Sequence, residues 1–204
     1  MNKEKQREEN RQRVIQASLK CFKEKSIEKT ALKEIAEEAD LSLRSLHRYF
    51  IDKNDLIIQS ISEYMKPSYE SLLLYIQSSD FQNLSGLEQC AAYFRKIFMI
   101  LNEDPNLVIL GTEYQLYLWH TRSPLESTTA AIKKLLTEIL TKGINDGTIR
   151  PNINVNLIVE TMIRKFKGFI QSVSSFTGED AIFDELSTQC FDQGLEIFIF
   201  YLKK

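Results

Sequence analysis

The residues in this chain that could do chemistry are cations arranged for a surface, not nucleophiles arranged for a reaction. His47 and Arg48 follow Arg44 by three and four residues, with Ser42 and Ser45 at the front of the same stretch and Leu43 beside Arg44. On a helix that spacing gathers them on one side. Arg can grip guanine O6 and N7 with two bonds, and a single helix fits the major groove of B-DNA. A lone basic helix is more often a solvated face than a reading head, so the elements that would hold these residues carry the argument. No catalytic constellation competes: there is no Gly-rich phosphate loop and no H-E-x-x-H, and one of the two histidines is His47 itself. No cofactor and no metal site is expected.

Those elements lie between Thr30 and Lys53, in TALKEIAEEADLSLRSLHRYFIDK. Thr30 suits an N-cap, and Leu32, Ile35, Ala36 and Ala39 recur at three- and four-residue steps as one apolar helix face. Asp40 interrupts that pattern and Leu41 fills the break. Ser42 can cap a second helix whose inward face is Leu46, Tyr49 and Phe50. Two short helices joined by so short a turn must cross steeply, which is helix-turn-helix geometry. Ala36 leaves room for the close approach. A preceding helix from about Glu8 to Lys25, apolar at Val14, Ala17, Leu19, Cys21 and Phe22, would brace the pair.

Residues 10–53 resemble the DNA-binding domain of the TetR family of bacterial transcription regulators. The family string is carried by Ile35-Ala36-Glu37-Glu38-Ala39-Asp40-Leu41-Ser42, then Leu46-His47-Arg48-Tyr49-Phe50, then Lys53. Asp40 stands at the family's turn glycine and would need a left-handed backbone, which costs an Asp less than most residues. Arg44 stands at a common glycine and His47 at a common tyrosine. Both would face DNA, so these departures alter which sequence is read. The resemblance implies that Thr30, Ser42, Ser45, Tyr49 and Lys53 hold phosphates while Leu43, Arg44, His47 and Arg48 lie against base edges.

Composition sets wider bounds. With 204 residues, 43% apolar and 26% charged, the chain can bury a core as an ordinary globular protein. Net charge is −2, so total charge does not point to nucleic acid. Cys21, Cys90 and Cys190 are scattered and odd in number, which fits a reducing compartment and disfavours disulfides or zinc. MNKEKQREENRQR lacks the apolar core of a signal peptide, and no run is long enough to span a bilayer. The expectation is a cytoplasmic protein without membrane contact.

Few glycines and prolines and no period-two alternation make the chain all-α. Asp52 should cap a helix from Lys53 through Leu56, Ile57, Ile61, Tyr64 and Met65, past Pro67, to about Ser78. Further helices are expected over 87–101, from Asp104-Pro105, from Ser123-Pro124 to Asn145, over 157–173, and from Ala181 to Leu202 after a turn at 178–180. The last helix is apolar almost all round and should be buried on more than one side. A second copy would supply the missing cover, giving a homodimer through the last two helices, as the resemblance also implies. Phe94, Phe98, Tyr114, Tyr117, Trp119 and His120 cluster in the middle helices. They are either plain core or, as TetR-like proteins imply, the wall of a pocket for a small-molecule effector. Glu113 and His120 are either its polar anchors or an exposed acid and a surface histidine, the second being favoured.

The expected organisation is a helix-turn-helix domain over 1–53 and a ligand-sensing, dimerising helical domain over 54–204. The expected function is a ligand-responsive regulator, by default a repressor, on a palindromic operator. A protein-interaction adaptor that keeps the helix-turn-helix as scaffold is the alternative.

Overall fold

The computed structural model describes residues 3–121, 126–176 and 183–204. Ten helices account for the described architecture, and among the described residues the only β-pairing is an isolated bridge between Ile149 and Lys203. They are α1 (Lys3–Lys25), α2 (Leu32–Glu38), α3 (Leu43–Leu46), α4 (Lys53–Gln77), α5 (Ser79–Gln82), α6 (Gly86–Glu103), α7 (Asn106–Thr121), α8 (Glu126–Asn145), α9 (Val155–Phe176) and α10 (Glu185–Leu202).

Two compact units divide the chain, one of Met1–Pro67 with Ile109–Ser123, the other of Ser68–Val108 with Pro124–Lys204. The boundaries fall inside α4 and α7, so the first unit takes in the start of α4 and most of α7 as well as the stretch expected to end at residue 53. Its core is mainly aliphatic: Val14, Ile15, Ile35, Leu46, Leu56, Ile57 and Leu110 are fully buried, with Phe22 and Phe50 as the large rings. α4 continues through Pro67, as its apolar spacing predicts.

The second unit packs α6 against α8 and α10, and α8 against α9. Its core sets a cluster of rings among aliphatic side chains such as Leu136, Leu140 and Ile149. Phe98 stacks on Phe191 with centroids 4.1 Å apart, Phe183 meets Phe98 edge-on at 4.9 Å, and Phe94 tilts against Phe166 at 5.3 Å. Ser85 and Glu88 form a capping box at the head of α6. There the Gly86 N–H donates to Asp146 Oδ2 at 2.8 Å, and the Thr148 hydroxyl donates to Asp146 Oδ1 at 2.6 Å. These bonds, the Thr148 hydroxyl first, hold the Asp146 carboxyl below its ordinary pKa. Lys142 ties down the end of α5 by donating to the carbonyls of Gln82 and Leu84. Gly86 lies against α8 so closely that a Cβ there would stand 2.1 Å from the Gly143 nitrogen.

Several boundaries differ from those expected. α1 starts at Lys3 rather than Glu8, because charged residues spaced three and four apart suit an exposed helix even without an apolar face. α5 was not foreseen; it is a single turn capped by Ser78, too short to leave a periodic signal. α10 is capped by Asp184, whose side chain accepts from the Ser187 N–H at 2.7 Å. The expected start at Ala181, the turn at 178–180 and the Ser123-Pro124 start of α8 lie outside the described residues. Among the described residues no helix is long and apolar enough to cross a membrane, and no group of three or more His, Cys, Asp or Glu could hold a metal.

Candidate nucleic-acid interface

The reading face is built outward from the core of the first unit. Ile35 and Ala36 bury the inner side of α2, and Leu46 and Phe50 bury that of α3, all at 1% exposure or less. The turn between the helices closes as the sequence requires. The Leu41 N–H donates to the Ala36 carbonyl at 2.9 Å, and Asp40 takes the left-handed backbone, φ 53°. That conformation costs a residue with a Cβ about 1–2 kcal/mol. Ser42 caps α3 as expected, its Oγ accepting from the Ser45 N–H at 3.1 Å while the two hydroxyls pair at 2.9 Å. After Leu46 the chain tightens into i to i+3 bonds, with the Arg48 N–H on the Ser45 carbonyl and the Tyr49 N–H on the Leu46 carbonyl. Regular α3 is therefore only one turn long, but the face continues to Phe50.

Leu43, Arg44, His47 and Arg48 all project into solvent, with Ser42 exposed and Ser45 half-buried at their head. Tyr49 is half-buried. Its hydroxyl accepts from Asn10 Nδ2 at 3.0 Å, which leaves the phenolic O–H available to donate. Asp52 and Asp55 staple the start of α4. The Asp55 N–H donates to Asp52 Oδ1 at 2.8 Å, and the Ile51 N–H to Asp55 Oδ2 at 3.0 Å. Lys53 Nζ donates to the Glu28 carbonyl at 3.0 Å, and burial of the ammonium pushes its pKa down. One of its three donors is thus spent within the fold.

Thr30 departs from the expectation. It is not the cap of α2: Ala31 holds that place, its N–H satisfied by the Glu34 carboxylate at 2.9 Å. Thr30 is buried, at 1% exposure, and its Oγ1 donates to the Ser26 carbonyl at 2.7 Å and the Cys21 carbonyl at 3.3 Å. Its hydroxyl pins the turn between α1 and α2 and does not present itself to a phosphate. That turn has a second pin. Ser26 is left-handed, φ 77°, and the next N–H, of Ile27, donates to Glu113 Oε2 at 2.8 Å. Burial raises the Glu113 pKa, opposed by the Ile27 bond and the Lys29 charge. Glu113 is therefore a half-buried acid bonded within the fold rather than an exposed one. A partner 86 residues away leaves no local signal in sequence.

Of the six residues expected around a ligand, the four whose side chains are described belong to two different cores. Phe94 and Phe98 sit in the ring cluster of the second unit, at 6% and 7% exposure. Phe94 also lines a solvent-open groove of about 280 Å³ between α9 and α10, with Phe166, Phe169 and Phe191 and the exposed Lys165, Cys190, Gly194 and Ile197. Tyr114 and Tyr117 instead pack half-buried against the core of the first unit. The side chains of Trp119 and His120 lie outside the described residues. Of the cysteines, Cys21 and Cys90 are buried and Cys190 is exposed; burial pushes the Cys90 thiol up to about 12.

Two short helices joined by a tight turn, the second capped by Ser42 and carrying an outward cationic face, form the arrangement of a helix-turn-helix DNA-binding domain. Residues 14–59 match the family model described as bacterial regulatory proteins, tetR family. A curated relative, the fatty acid metabolism regulator protein of Bacillus subtilis, is 27% identical over 157 residues, covering 75% of this chain and 77% of the relative. The HTH-type transcriptional repressor KstR2 of Mycobacterium tuberculosis is 22% identical over 71% of this chain and 72% of its own. Among solved structures, a TetR transcription regulator from Haloarcula marismortui superposes with TM-score 0.75 at 13% identity, covering 97% of this chain and 100% of that one. FadR from Bacillus subtilis in complex with stearoyl-CoA gives TM-score 0.65 at 19% identity, over 94% and 98%. Residues 14–59 thus carry the tetR-family DNA-binding pattern, and the chain as a whole shares the fold of solved TetR regulators. Its relatives are regulators of transcription, not enzymes.

Proposed function

We propose that this chain is a ligand-responsive repressor that binds a palindromic operator as a homodimer. Two copies of the α3 face would enter successive major grooves roughly 34–36 Å apart. Arg44 reads a guanine, with His47 and Arg48 beside it, while Ser42, Ser45, Tyr49 and the remaining donors of Lys53 hold phosphates. The observation that carries this reading is the split of one short segment, with Leu46 and Phe50 sealed in the core while Arg44, His47 and Arg48 are all exposed.

The second unit supplies dimerisation and sensing. Leu186, Cys190, Gly194, Ile197 and Tyr201 recur at four- and three-residue steps along α10, and all five are exposed, Leu186 and Ile197 by 66% and 63%. An apolar stripe of that length on a terminal helix supports a second copy as its cover. The effector is an acyl-CoA or a molecule of similar build, with an apolar tail and an anionic head. The stearoyl-CoA bound by FadR supports this. Such a ligand releases DNA only by binding the non-operator conformation more tightly.

Selection from random duplexes, followed by mobility-shift titration, tests the reading. A palindrome bound by two chains is expected, and stearoyl-CoA but not free CoA should release it. Recovery of no palindrome would sink the DNA-binding assignment; release by neither compound would sink the effector class alone.

A further inference from the structure

The outward face of the Leu43–Phe50 segment is not uniformly polar. Leu43 leaves 41% of its surface in water, although Leu46 in the same turn is fully buried. Its position is well defined. Ser42 caps the turn through the Ser45 N–H at 3.1 Å, and the His47 N–H donates to the Leu43 carbonyl at 3.1 Å. Leu43 and His47 are therefore one helical turn apart on one stripe, with exposed Arg44 and Arg48 on the stripe beside it. A branched apolar side chain among three basic ones gains nothing from water. An apolar surface set inside an otherwise anionic partner would suit it together with its basic neighbours.

Duplex DNA presents one such surface in its major groove, the C5 methyl of thymine. Resting on the reading of α3 as the base-reading element, we infer that Leu43 reads a thymine methyl in each half-site, next to the base pair gripped by Arg44. The half-site is then recognised by two unlike means. Arg44 donates hydrogen bonds to a guanine edge, and Leu43 removes apolar area of its own and of the methyl from water. This makes thymine preferred over cytosine at that position without any hydrogen bond to it.

Substituting deoxyuridine for each thymidine of the selected operator removes only the methyl and so isolates this contact. With the full chain, one position per half-site should lose roughly fourfold in affinity on methyl removal. Leu43→Ala should bind the thymidine and deoxyuridine duplexes equally, and Leu43→Met should restore part of the difference. Arg44→Ala should bind more weakly yet keep the deoxyuridine penalty. An unchanged unfolding midpoint for Leu43→Ala guards against a trivial loss of fold. Specific binding that is indifferent to every methyl, or a penalty that persists in Leu43→Ala, overturns the inference while leaving the DNA-binding reading intact. Absence of any specific duplex overturns both.

Discussion

The two compact units solve their packing with different materials. The first is aliphatic and stitched by polar pins: the Thr30 hydroxyl on two carbonyls, the Ser18 and Ser60 hydroxyls 2.7 Å apart in the core, Asn10 on Tyr49 and Lys53 on the Glu28 carbonyl. The second has polar pins at Asp146 and Lys142 around the head of α6, but between α6, α9 and α10 it relies on a ring cluster centred on Phe98, with an open groove beside it. Hydrogen bonds are directional and fix angles, which suits the proposed reading face. Stacked and tilted rings tolerate several offsets at similar energy, which suits the proposed sensing role of the second unit. The contrast is between a face fixed by directional bonds and a ring cluster that can shift.

Substitutions can break or sharpen that contrast, and the largest effect belongs to the second unit. Gly86→Ala should cost about 3 kcal/mol or more, because its Cβ would meet the Gly143 backbone at 2.1 Å, where no flexible side chain can give way. A Cβ at Gly194 meets nothing within 4 Å, so Gly194→Ala should leave folding of the chain intact and slightly favour the helix. Chemical unfolding of both variants checks this pair. Sedimentation of Gly194→Ala adds a check on the α10 stripe as a dimer face: a closely packed face should associate more weakly.

In the first unit, Arg44→Ala should lose about 1–3 kcal/mol at one base pair per half-site with no change in unfolding, since the side chain is exposed. Titration against operators mutated one base at a time reads the first quantity and calorimetry the second. Thr30→Val should do the reverse. It removes a buried donor to two carbonyls and should destabilise by about 1–2 kcal/mol, while the preferred bases stay the same. A changed base preference in Thr30→Val would return that residue to the DNA surface. Asp40→Gly relieves a left-handed backbone, φ 53°, and should stabilise by about 1 kcal/mol in denaturant titration.

The smallest effect is a pH slope. Burial raises the Glu113 pKa above its ordinary 4.5, so the folded chain holds that proton longer than the unfolded one. The resulting stability is fully present below the ordinary value and lost as pH rises through the raised one. Glu113→Gln keeps an oxygen for the Ile27 N–H but cannot ionise. The variant should therefore lack this downward slope just above pH 4.5, and an identical slope in both proteins would remove Glu113 as its source.

Much of this was legible because it is local. Ser42 as a cap, Asp40 as the left-handed turn, Leu46 and Phe50 as inward residues and Asp52 with Asp55 at the head of α4 all follow from residue type and spacing within a few positions. Thr30 misled for the same reason. Its type fits a cap, but Glu34 reaches the Ala31 N–H and the hydroxyl turns inward to bonds that only the packed turn creates. The aromatic residues show a second limit. Helical spacing marks Phe94, Phe98, Tyr114 and Tyr117 alike as apolar, but cannot tell which core each will join.

What the order of residues determined by itself was the long helices, the turn between α2 and α3 and the outward cations, since hydrogen bonding along a helix and amphipathic periodicity act over three or four residues. What only the tertiary structure decided was which polar groups were consumed inside: Lys53 on Glu28, Tyr49 under Asn10, Glu113 on Ile27. Those partners lie 25 to 86 residues away, and pairing at that distance depends on how the whole chain packs, which no window of sequence contains.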